Sequence, residues 1–211
     1  MRLRIRSSAL LFQLATGACE QASRGDGSQA IVEIVLAVMT LETFINELAE
    51  LPAYPPEFED GRVAQFADIM REVEKSRGSL ETRYRFAKWI FAGRAYDMGQ
   101  TPYQDFALLL SLRNALVHLK PMDWEIDETS FGLTVNHPSV VERLKSKRLI
   151  VDTDSKEKGR TWLQVVSTKE VAKWACNRVV AMIRGAIDDL PSNPNRDRQK
   201  RWMKDDFQPI P

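Results

Sequence analysis

Between Gln29 and Glu50, the residues Ile31, Ile34, Val35, Val38, Leu41, Ile45 and Leu48 return at helical spacing and define one apolar face. A helix with so broad an apolar face has to be covered by other elements, which points to a helical bundle rather than a lone amphipathic segment. The helix must stop at "LPAYPPEFEDG", residues 51–61, because three prolines forbid its continuation.

The flanking segments carry the same period. A first helix is expected over Ser7 to Ala22, ending at "SRGDGS", where Gly25 and Gly27 supply the turn and Ser28 can cap the second helix. A third runs from Arg62 to Arg77 and a fourth from Ser79 to Ala92, parted by Gly78. The fifth opens at Thr101-Pro102, read as an N-cap followed by proline at the first helical position, and ends before Pro121. After Pro121 the period changes: "DWEIDETSFGLTV" and "RLIVDTDSKEKGRTWLQVV" hold short β-favouring runs around turn residues, with a short helix on "HPSVVERLKSK" between them. "STKE", residues 167–170, has the form of a capping box that opens a last helix reaching Leu190. The expected fold is mainly α: an antiparallel bundle over residues 1–190, with a small β-hairpin or irregular insertion at 121–166. Residues 191–211 read as a charged, proline-containing tail.

Composition narrows the function classes. The 211 residues make one domain by default, and a net charge of +1 gives no general attraction to polyanions, so nucleic acid would need a local patch. Cys19 and Cys176 stand far apart without ligand-like spacing, which argues against a disulfide framework and a zinc site and fits a reducing cytoplasm. The opening "MRLRIRSSALLFQLATGAC" imitates a lipoprotein signal, but Gln13 and Thr16 break that pattern, and the first helix of a cytosolic bundle is the expectation. The longest apolar run, "AIVEIVLAVM", contains Glu33 and is too short to span a membrane. Phosphate-binding, dinucleotide-binding, metal-ligand and nucleophile-elbow motifs are missing from the sequence, so no cofactor and no metal are expected.

On the fifth helix, Phe106, Leu109, Leu110, Leu112, Leu116, Val117 and Leu119 fill a very wide apolar arc. Ser111, Asn114 and His118 form a narrow polar strip, the last two stacked four residues apart. Arg113 points into the arc, and a guanidinium there needs a carboxylate, carbonyls or a route to the surface along its own stem. Glu42 and Asn46, four apart at the edge of the second helix, are its expected partners. They predict a polar cluster of Glu42, Asn46, Arg113, Asn114 and His118 between two packed helices.

At "LRNALVH" the chain resembles the HEPN domains (higher eukaryotes and prokaryotes nucleotide-binding), helical bundles that include many metal-independent ribonucleases. Their signature is an arginine, usually followed by a polar residue, with a histidine four to six residues on; Arg113, Asn114 and His118 match it. The upstream "VLAVMTLETFINELAE" is similar to the corresponding helix of bacterial members, and the likeness covers residues 7–120. The family also contains non-catalytic members that bind nucleotide, RNA or a protein.

The resemblance implies an endoribonuclease in which Arg113 clamps the scissile phosphate, His118 moves a proton and Asn114 orients the hydroxyl or the imidazole, leaving 2′,3′-cyclic phosphate ends. One histidine per site leaves a proton transfer unassigned. His137, in a turn before Pro138, does not supply it, so a homodimer bringing two copies of Arg113 and His118 to one cleft is expected. The implied setting is a cytoplasmic toxin or defence effector with an RNA substrate, a protein antitoxin or regulatory partner, and no membrane. In the tail, Arg196, Arg198, Lys200 and Arg201 surround Trp202 and offer charge and a stacking surface for RNA, although a solvated tail or a partner-binding strand has the same composition.

Overall fold

A computed structural model describes residues 7–51, 61–119, 124–127, 132–135, 138–150 and 161–211. Among these the helices are α1 (Ser7–Ser23), α2 (Ser28–Ala49), α3 (Gly61–Lys75), α4 (Leu80–Ala92), α5 (Tyr103–Val117), α6 (Ser139–Ser146), α7 (Trp162–Val166), α8 (Lys169–Asp189) and α9 (Pro194–Asp205). β1 (Trp124–Asp127) and β2 (Gly132–Val135) pair antiparallel, with Trp124 opposite Val135.

The mainly helical fold is organised around α2, which touches α1, α3, α4, α5 and α8. Its buried face is Ile34, Ala37, Val38, Leu41, Phe44, Ile45 and Leu48, together with Glu33 and Thr40. Ile31 and Val35, expected inside, are only half-buried, because the face is rotated towards Ala37 and Phe44. α1 runs antiparallel beside it: the backbone N–H of Ser8 donates to Glu47 Oε1 at 3.1 Å, so the carboxylate near the end of α2 satisfies the first turn of α1. By length and composition α2 could also cross a membrane, which the short uninterrupted run did not suggest; half of its apolar window is buried against its neighbours.

Several local expectations are corrected. Ser28 does not cap α2; it is the first helical residue, and its hydroxyl donates to Asp26 Oδ1 at 2.6 Å. Gly27 is the N-cap, and the position favours glycine because a Cβ there would stand 2.9 Å from the Ser167 carbonyl oxygen, where the α1–α2 turn meets the α7–α8 junction. Pro102 occupies the N-cap of α5 rather than its first helical position. "STKE" forms no capping box: the Ser167 hydroxyl donates to the Leu163 carbonyl at 2.6 Å, and Thr168 caps α8 by accepting from Val171 N–H. The capping box lies at Thr161 and Gln164, and it makes "WLQVV" a helix where a β-favouring run was expected.

The largest correction concerns residues 191–211, which fold onto the bundle instead of forming a solvated tail. Asn193 caps α9 by accepting from Arg196 N–H at 2.8 Å, with Pro194 in the first turn. Phe207 is fully buried, its ring centroid 5.3 Å from that of Phe12 and 5.7 Å from that of Phe44. Its carbonyl accepts from Arg184 Nε at 2.8 Å, and Asn177 holds the backbone of Ile210 through both its amide nitrogen and its oxygen. A few large apolar residues therefore do what aliphatic content would ordinarily do. Phe207→Ala is expected to lower the unfolding free energy by about 3–5 kcal/mol in denaturant titration; a loss below about 1 kcal/mol would mean that the segment is not part of the core.

Candidate functional site

α5 brings the motif to the surface edge of the bundle. Tyr103, Phe106, Leu108, Leu109, Leu112 and Leu116 are buried, and so is Asp105, which pairs with Arg178 of α8 at 3.1 Å and Lys147 at 2.7 Å. These contacts fix the rotation of α5, so that Ser111, Asn114 and His118 face solvent as one strip. Val117 and Leu119, expected in the apolar arc, are about half exposed at 51% and 54%, because the helix runs past the core at its end.

Arg113 lies between the strip and α2. Its Nη1 donates to Asn114 Oδ1 at 3.1 Å, and its Nη2 stands 3.9 Å from Glu42 Oε2. The side chains of Arg113 and Glu42 retain 26% and 47% of their exposure, so this pair is a surface-edge contact and not the buried ion pair that the helical wheel suggested. Asn46 is engaged elsewhere: its Oδ1 accepts from Arg83 Nη1 of α4 at 2.7 Å. Arg83 was missed in the sequence, although it occupies the row of α4 that continues through Ala87 and Ile90 into the core. Its Nε is buried and without a hydrogen bond.

An open cavity of about 210 Å³ borders this cluster, between the first turn of α4 (Ser79 to Glu81) and Ser111, Arg113 and Asn114 of α5. The Ser111 hydroxyl donates to the Ala107 carbonyl at 2.9 Å but remains at the cavity edge. His118 is the C-cap of α5; its backbone N–H donates to the Asn114 carbonyl at 2.9 Å and its side chain is exposed. The arrangement thus presents a guanidinium, an amide and an imidazole along the solvent side of one helix end, where a phosphodiester could reach them. His137 lies outside the described residues. Among the described residues, no cluster of His, Cys, Asp and Glu could hold a metal ion.

The basic residues of α9 divide. Arg196 is 1% exposed and its Nη1 donates to Gln199 Oε1 at 2.7 Å, while Lys200 donates to the carbonyls of Leu190 and Asp188. These two hold α9 in place. Arg198, Arg201 and Trp202 face solvent.

A second chemically unusual cluster lies inside the bundle. Glu33, fully buried, accepts a hydrogen bond at 2.9 Å from Cys176 Sγ, and its Oε2 is unpaired. Burial pushes the Glu33 carboxyl well above the ordinary carboxylate range, favouring the neutral form. Cys176 is pushed up by its hydrogen bond to Cys19, by burial and by Glu33. The sequence showed Glu33 only as an interruption of an apolar run, yet an acid on the core side of a helix is the legible sign of such a group.

Compared with family models, with curated proteins and with solved structures, the chain has no match.

Glu42→Ala is expected to cost less than about 1 kcal/mol in thermal or denaturant unfolding, since the pair is solvent-screened; a loss of several kcal/mol would show that Arg113 depends on it. For Glu33 the native state keeps a proton that the unfolded chain releases above about pH 4.3. The associated stability is complete below that pH and is lost as pH rises towards the raised native value. Unfolding free energies of wild type and Glu33→Gln should therefore diverge, the variant gaining by about 1.4 kcal/mol per pH unit through that window. Parallel pH profiles would place a charged Glu33 in the folded state.

Proposed function

We propose that the chain is a metal-independent endoribonuclease of HEPN type, acting as a homodimer with a composite site. The observation that supports this reading is the position of Arg113 and Asn114 at the edge of an open cavity, with His118 exposed further along the same side of α5. Arg113 binds the scissile phosphate and offsets the charge that builds on its oxygens. His118 accepts the proton of the ribose 2′-hydroxyl, whose oxygen attacks phosphorus. The bond to the 5′-oxygen breaks, and that oxygen takes a proton from His118 of the second copy, leaving a 2′,3′-cyclic phosphate and a 5′-hydroxyl. A cytoplasmic toxin or defence effector with a protein antitoxin or regulatory partner is the setting in which this activity fits.

The second reading is a non-catalytic HEPN-like module that binds nucleotide, RNA or a protein. It is favoured by the contacts of Arg113 with Asn114 and Glu42, which also serve structure. The two readings part in an RNA cleavage assay run in chelator. Wild type is expected to produce cyclic phosphate ends, and His118→Ala and Arg113→Ala are each expected to cut at least about 100-fold more slowly. Equal cleavage by all three proteins, or none by wild type, would remove the ribonuclease assignment.

A further inference from the structure

A second cavity, of about 310 Å³, opens on the same face of α4 beyond the candidate site. Arg85, Phe86 and Trp89 stand on one side of it and Tyr96 and Met98 on the other. Trp89 and Met98 are unusually open for large apolar side chains, at 56% and 58% exposure. Tyr96, by contrast, is fixed: its ring lies 5.1 Å from that of Tyr103, and Lys88 stands 5.5 Å from its centroid. Tyr96 is thus held by its neighbours, while the indole and thioether are open to a flat ligand. Arg85, at the cavity, and Arg94, beside its lining residue Ala95, are exposed and form no hydrogen bond or ion pair with any described residue.

The linings of the two cavities meet at the start of α4. Glu81 lines the first and Thr82 the second, and the hydroxyls of Ser79 and Thr82 are 2.9 Å apart across the boundary. Trp89 stands two turns along α4 from Thr82, about 10 Å at the helical rise, a distance that a short extended strand covers. Glu81 lines the first cavity and Asp97 stands in the chain between Tyr96 and Met98 of the second, so charge alone would hold a polyanion weakly, and stacking on the indole has to provide much of the binding.

The geometry points to a base-binding subsite in which Trp89 and Met98 receive one unstacked nucleobase of a single-stranded RNA, Arg85 meets its phosphate, and the strand continues over the start of α4 to Arg113. The choice of RNA as the source of that nucleobase rests on the ribonuclease reading. Base stacking selects for single strands, because a duplex keeps its bases covered. This assigns a substrate class, and it gives α4 a role that the motif on α5 does not provide.

The test is fluorescence anisotropy with a labelled eight-nucleotide single-stranded RNA, 2′-O-methylated so that it cannot be cleaved, against the intact protein. Trp89→Ala is expected to weaken binding about tenfold, with Trp89→Phe in between, as for the loss of one stacked base. Arg85→Gln should lower the salt slope by about one. Duplex RNA of the same sequence should bind more weakly than the single strand, and free mononucleotides more weakly still. Unchanged affinity in Trp89→Ala overturns the subsite even if wild type cleaves RNA. Mononucleotides binding as tightly as the octamer also overturn it, in favour of a free-nucleotide pocket. Tryptophan-dependent octamer binding by a protein that cleaves nothing upholds the subsite and removes only the catalytic reading.

Discussion

The structure depends on covering α2. The buried positions of α2 and its neighbours include many small side chains: Ala15, Ala18, Cys19 and Ala22 on α1, Ala30 and Ala37 on α2, and Ala172, Ala175 and Cys176 on α8. Small residues bring helix backbones together and leave the large ones, such as Phe44 and Leu48, to fill the spaces further along. Among these residues Glu33 is fully buried, with the thiol of Cys176 as its hydrogen-bond donor. Its second oxygen is buried and without a hydrogen-bond partner among the described residues.

Over the last turns of α2 the edge beside its buried face becomes polar. Asn46 and Glu42 each meet an arginine, Arg83 from α4 and Arg113 from α5. The candidate site is therefore a seam where three helices meet, and its charged groups are positioned by backbones that the core already holds. This division is common in folded proteins: the rigid part is apolar, and the chemistry lies where it ends.

The long periodic segments were legible in the sequence, since α1 through α5 follow the 3.6-residue repeat and the proline-rich stop after α2. The strip of Ser111, Asn114 and His118 could also be read from spacing alone, because four-residue neighbours share a helix face. What escaped reading was decided by contacts between distant segments. Arg83 reaches Asn46 across a gap that no local pattern encodes, and α9 looked like a tail because its anchorage comes from Met203 and Phe207 rather than from a run of aliphatics. Local hydroxyl competition moved the cap of α8 by one residue, since the side chain of Ser167 was already bonded to α7. Propensity gives elements; the partners of polar side chains come from topology.

The meeting of Phe12, Phe44 and Phe207 has a consequence for biosynthesis. Phe12 and Phe44 are synthesised well before Phe207, so the ring cluster they share cannot be completed until Phe207 follows them. Pairings between such distant segments form late and leave sticky surface exposed in the meantime. A chain cut before Phe207 therefore leaves the Phe12 and Phe44 rings without their third partner.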